Sequence, residues 1–190
     1  MEKISIETVY FEEPGVVNTE ETLKIALKRL KELRIEQIVI ASTTGYTALK
    51  AMELFKDPKP IIVTHSTGFN KPNEQEFPGE TRKKLEEMGA TILTSLHSFG
   101  GIGRAVRKKF QTYQLEDILA GTLRIFGEGT KVACEITLMA ADAGLINTDK
   151  EVIAIGGTGR GADTALVLKP ANTQNFFDLR VKEVLCKPRF

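Results

Sequence analysis

Cysteine and histidine are scarce, with two of each in 190 residues. Cys134 and Cys186 lie far apart with no CxxC or Cys/His pairing beside them, so neither a disulfide framework nor a zinc site is supported. Two free, mostly buried thiols are expected. No apolar run approaches the roughly 18 residues of a spanning helix, and the start Met1-Glu2-Lys3-Ile4-Ser5-Ile6 lacks the basic flank and apolar stretch of a signal peptide. A cytoplasmic protein without a membrane partner is the expectation. Charge of one sign is also missing: Lys plus Arg is 26 and Asp plus Glu is 25, a net +1. The composition therefore gives no electrostatic case for a nucleic-acid partner.

Familiar signatures are absent as well. Gly157-Thr158-Gly159-Arg160-Gly161 and Gly101-Ile102-Gly103-Arg104-Ala105 are not GxGxxG, and nothing matches GxxxxGK[ST], HExxH or an EF-hand loop. NAD, a P-loop nucleotide and the common metal sites are disfavoured.

What remains is a chain 42% hydrophobic and 27% charged, enough for a sizeable core and short enough for one domain over 1–190. Asn18-Thr19-Glu20-Glu21 reads as a helix start, and Leu23, Ala26, Leu27, Leu30 and Leu33 then recur at helical spacing. A strand over 37–41 follows, and then a helix with Ala48, Ala51, Met52 and Phe55 on one side, stopped by Pro58 and Pro60. Residues 60–64 read as a buried parallel strand and 65–78 as a long loop. A third helix over 78–88 is closed by Gly89, and a strand over 90–95 leads into a glycine-rich turn at 97–103. Two or three helices fit 104–145, of which 130–145 is apolar nearly all round. Strands at 151–156 and 163–169 are too closely spaced for a crossover and must pair antiparallel, and 177–186 suggests an edge strand. The fold class is α/β: a three-layer α/β/α domain, its sheet mostly parallel with an antiparallel edge strand.

The most informative stretch is 38–52, an apolar strand that breaks into Ser42-Thr43-Thr44-Gly45-Tyr46-Thr47 and resumes as a helix. Its hydroxyls can donate to an anionic oxygen, Gly45 lets the backbone come close to a ligand, and the helix start offers free N–H groups. Four loops leave expected carboxyl ends of strands, where ligands of open α/β sheets settle: 42–47, 65–69, 97–103 and 156–161. His65 and His97 both follow parallel strands and are the weak candidates for acid/base work. Lys131 and Glu135 share one side of a helix and read as an internal pair rather than a site, with Asp142 on the same line. The cluster Arg104, Arg107, Lys108 and Lys109 reads as a solvated face.

The Ser42–Thr47 loop is similar to the phosphate loop of flavodoxins, Ser/Thr-x-Thr-Gly-x-Thr, matched at Ser42, Thr44, Gly45 and Thr47. Flavodoxins carry that loop on their first strand and add aromatic loops that do not align here. The wider order over 19–64, together with the strand, glycine turn and strand over 152–168, resembles the C-terminal domain of pyruvate kinase, whose corresponding loop takes a phosphate of a sugar bisphosphate. Pyruvate kinase chemistry sits on a TIM barrel, a fold of about 200 residues or more, for which this chain has no room. The resemblances imply a protein that binds a phosphorylated small molecule, with FMN as the expected cofactor. Ser42, Thr43, Thr44, Gly45, Tyr46 and Thr47 would hold the phosphate. Ser66, Thr67, Gly68, Phe69, Ser98, Phe99, Gly100, Gly101, Gly157, Thr158 and Gly159 would surround the ring. A sugar-phosphate regulatory module and a hydrolase or lyase of a phosphorylated substrate are the alternatives, and homo-oligomerisation stays open.

Overall fold

A computed structural model describes residues 3–189. Strand β1 (Val9–Phe11) and a 3-10 turn at Val16–Asn18 precede α1 (Thr19–Leu33). There follow β2 (Ile38–Ala41), α2 (Tyr46–Leu54), β3 (Ile61–Thr64), α3 (Gly79–Glu87) and β4 (Thr91–Thr94). Three successive helices come next: α4 (Gly101–Phe110), α5 (Leu115–Arg124) and α6 (Glu128–Asp142). The chain closes with β5 (Val152–Gly156), β6 (Thr164–Lys169), a 3-10 segment at Thr173–Asp178 and β7 (Arg180–Pro188).

One seven-stranded sheet has the order β1-β7-β6-β5-β2-β3-β4. β5, β2, β3 and β4 are mutually parallel, so their carboxyl ends lie at the same end of the sheet. β6 pairs antiparallel with β5 on one side and with β7 on the other. The turn between β5 and β6 is as short as the sequence implied. The edge strand expected over 177–186 is β7, which starts later, at Arg180, after the 3-10 segment, and lies one strand inside the edge because β1 adds parallel to its outer side. Three residues are too few to show the period-two pattern that announces a strand, so β1 was not visible in the sequence.

Two cores flank the sheet. On one face Leu23, Ala26 and Leu30 of α1, with Ala48, Ala51 and Met52 of α2 and Leu85 of α3, cover Ile38, Ile40, Ile62, Ile153 and Ile155. On the other, α6 presents Ala133, Cys134, Ile136, Met139 and Ala140 to Val39, Val63, Val152, Ala154, Leu166 and Leu168. Alternation along the strands sends successive residues to opposite faces: Ile38 and Ile40 face α1 and α2, Val39 faces α6. The helix α6 is sandwiched in turn, since Leu138 packs with Phe99 and with Ala120 of α5. This is why its sequence is apolar nearly all round.

α6 reaches the sheet closely at its first turn, where a Cβ at Gly156 would lie 2.5 Å from the carbonyl of Gly129. Only glycine fits that approach. Both cysteines are free and buried, and burial pushes each thiol up to about 12. Among the described residues no helix is long and apolar enough to cross a membrane.

Candidate functional site

Helices that precede a parallel strand begin at the carboxyl end of the sheet, and α6 precedes β5. Its first turns therefore stand beside the loops after β2, β3, β4 and β5. All four loops open onto one cavity of about 610 Å³, bounded by Ser42, Thr43, Thr44, Tyr46 and Thr47, by His65 and Phe69, by His97, and by Gly157 and Gly159. The strand order diverges between β2 and β5, so the cavity lies at the switch point where open sheets bind ligands.

At the α2 end, Ser42 Oγ accepts from the N–H of Ala48 at 3.4 Å, and the N–H of Leu49 donates to Gly45 O at 2.9 Å. The amides of Tyr46 and Thr47, ahead of the first intrahelical bond, are the helix's free donors. Ser42 and Thr47 are buried and Tyr46 is half open to solvent. Gly45 has φ +92°, which favours glycine, but its missing Cβ would point at Thr81 Cγ2 of α3, well inside contact distance, with Phe77 Cζ at 3.6 Å. The glycine thus serves the α2–α3 contact and the left-handed turn; the expected close approach to a ligand is not the direction its Cβ would take.

The middle of the cavity holds two imidazoles, each facing a carboxylate. His65 Nδ1 is 2.7 Å from Glu76 Oε2, and its Nε2 is 3.4 Å from Thr43 Oγ1. His97 turns Nδ1 toward Glu135 Oε2 at 3.7 Å, beyond the length of a direct hydrogen bond. Its Nε2 is buried and has no partner among the described residues. Phe69 stacks on both rings, with centroids 4.0 Å from His65 and 5.0 Å from His97, and the Arg104 guanidinium lies 4.2 Å from its centroid.

Glu135 is the most constrained group of the site. Its Oε1 accepts the Phe99 N–H at 3.0 Å, and its Oε2 pairs with Lys131 Nζ. Burial alone would raise its pKa; the facing His97 and the charge of Lys131 outweigh that and hold the carboxyl down to about 2. Lys131 and Glu135 do form the internal pair that their spacing implied, but the pair is part of the cavity wall. Asp142 is not with them: it receives Asn172 and Thr173 at the other end of the helix. The basic cluster also divides. Arg104 lines the cavity, Lys108 lines a shallow groove beside it, and Arg107 pairs with Asp117.

Several expected residues lie outside the cavity wall. Ser66, Gly68 and Gly101 border the adjoining groove. Gly101 is the first residue of α4, so the glycine-rich turn is shorter than expected. Thr67, Ser98 and Gly100 line neither hollow. Phe99 is a buried plug against Ala120 and Leu138 rather than a ring cover, and touches the site through its N–H. Thr158 donates its N–H to Asp163 Oδ2 at 3.0 Å. That buried carboxylate also takes the Gly15 N–H at 2.8 Å and the Thr164 hydroxyl at 2.8 Å, tying the 157–161 turn to the chain ahead of α1.

Sequence reasoning missed Glu76, Arg124, Glu128 and Arg160 as wall residues. The one available signal was topological: residues in the first two turns of a helix leading into a parallel strand must stand at the ligand end, which includes Glu128, Lys131 and Glu135. The cations Arg104 and Arg160 have no carboxylate within 4.0 Å among the described residues, whereas Arg124 and Lys131 are matched by Glu128 and Glu135. The wall carries a surplus of positive charge and suits an anion.

The sequence profile of a family described as "Pyruvate kinase, alpha/beta domain" matches residues 20–168. Among solved structures, a pyruvate kinase from Cryptosporidium parvum is similar at 13% identity and a TM-score of 0.42, over 80% of this chain and 23% of that one. The chain thus spans less than a quarter of that enzyme's length. With its profile match running from α1 through β6, the chain belongs to the pyruvate kinase alpha/beta domain family.

Proposed function

We propose that the protein binds FMN, with the phosphate at Ser42–Thr47 and the ring in the cavity between the loops at 65–69, 97–101 and 156–161, and that it has no pyruvate kinase activity. The observation that carries the reading is the cavity's division of labour. One end, the start of α2, offers hydroxyls and free amides. The other offers flat and apolar surface: the Phe69–histidine stack, Val63, Val132, Ile136 and Met139. Phosphate belongs at a helix N-terminus with hydroxyl donors, and a planar ring belongs against aromatic and aliphatic walls. The volume, about 610 Å³, lies within the roughly 300–1,000 Å³ of small-molecule sites. Electron transfer, where it occurs, would be the flavin's own chemistry; the chain's part is binding and orientation.

A second reading, a sugar-phosphate sensor, has its own support in Arg104 and Arg160, two cations free to take a second phosphate. Adding FMN to the purified protein separates the two. Quenched flavin fluorescence with saturable binding supports FMN. No change in fluorescence, together with thermal stabilisation by a sugar bisphosphate, supports the sensor.

A further inference from the structure

We infer that His97 is the residue that reads the ligand's ring, as a hydrogen-bond acceptor, so that the ligand must present an N–H or O–H donor there. The inference rests on the FMN reading and specifies it: the donor is the flavin's ring imide N3–H.

The argument starts from the two imidazoles. A neutral imidazole carries its proton on one nitrogen, and a carboxylate facing Nδ1 selects the Nδ1–H form and leaves Nε2 an acceptor. His65 meets Glu76 in this way, and its Nε2 is answered from within the chain by the Thr43 hydroxyl. His97 faces Glu135 in the same sense, with Lys131 supplying the carboxylate's counter-charge, but its buried Nε2 is answered by nothing among the described residues. One arrangement is closed and its twin is open. A buried acceptor without a partner is costly, and a packing role would favour an apolar side chain of the same shape. The ring lines the cavity beside Phe69, where a planar ligand would lie. Glu135, itself buried and held by Lys131 and the Phe99 N–H, is a positioning residue: its charge, 3.7 Å from Nδ1, favours the proton on that nitrogen of His97.

The probes are FMN and 3-methyl-FMN, in which a methyl group replaces that donor hydrogen, each titrated into wild type and into His97→Leu, where the same steric change applies without the acceptor. Wild type should bind FMN about tenfold more tightly than 3-methyl-FMN, and the ratio should fall to near one in H97L. An equal ratio in both proteins overturns the inference while leaving FMN binding intact. Wild type that binds neither flavin overturns the FMN reading and this inference with it. A second measurement needs no variant: ¹⁵N NMR of His97 in wild type should show the Nδ1–H form, with the Nε2 resonance moving on addition of FMN and much less with 3-methyl-FMN. An Nε2–H form in the free protein contradicts the account.

Discussion

Gly45→Ala should destabilise the fold through α3, and a second change in α3 should recover most of the loss. Two costs apply. The backbone at Gly45 has φ +92°, a region that costs an L-residue roughly 1–2 kcal/mol. The new methyl also overlaps Thr81 Cγ2, while its other neighbours, Thr81 Cβ at 3.5 Å and Phe77 Cζ at 3.6 Å, are at ordinary contact. Such overpacking costs about 1–3 kcal/mol, so the single variant should lose roughly 2–5 kcal/mol. Thr81→Ser removes only the methyl that clashes. In that background Gly45→Ala should cost only the backbone part, about 1–2 kcal/mol, giving a coupling of about 1–3 kcal/mol between the two sites. Urea unfolding of the four proteins measures it. A coupling near zero, with the full cost persisting in the Thr81→Ser background, would refute the claim that this glycine is required by the α2–α3 contact.

Other outcomes follow from the same geometry. Glu135 is held at about 2 in the folded protein against an ordinary 4.5, so its stabilisation is full above the higher value and is lost as pH falls toward the lower. That is on the order of 3 kcal/mol, and Glu135→Gln should remove this part of the acid dependence of the urea midpoint. Asp163→Ala leaves the Gly15 and Thr158 amides without their acceptor and should cost about 2–5 kcal/mol at the calorimetric transition. Arg29 makes two hydrogen bonds to Glu183, at 2.6 and 2.7 Å, joining α1 to β7; Arg29→Met should cost about 2 kcal/mol in urea, and Arg29→Lys should recover only part of it. Thr44→Val with Thr47→Val should weaken FMN binding by tenfold or more, since each removes a donor to a charged acceptor worth about 1.5–3 kcal/mol; unchanged affinity would move the phosphate elsewhere.

The elements that announced themselves did so through periodicity strong enough to survive their surroundings. α1 carries acid at its start and an apolar stripe that the core needs, and β2, its loop and α2 switch from one period to another within fifteen residues of sequence, 38–52. α6 was legible because burial between sheet and α5 leaves few positions for polar residues. Where polar residues do occur on it, at Lys131 and Glu135, spacing revealed the pair but not the third party. His97 comes from a loop far earlier in the chain, and only the sheet brings it there. Glu76 was hidden for a similar reason: it sits in an aperiodic loop whose fold back onto His65 follows from tertiary contacts. The convergence of four loops was inferable from the parallel strands. Which side chains face inward was not, as Phe99 and Gly45 show.

The most direct test of the central claim compares FMN with riboflavin, which has the same ring and no phosphate, by fluorescence titration of the wild-type protein. If the Ser42–Thr47 loop and the start of α2 hold the phosphate, FMN should bind at least tenfold more tightly, the effect of a single hydrogen bond to a charged group at about 1.5–3 kcal/mol. Equal affinities, or no binding of either flavin, would contradict the account.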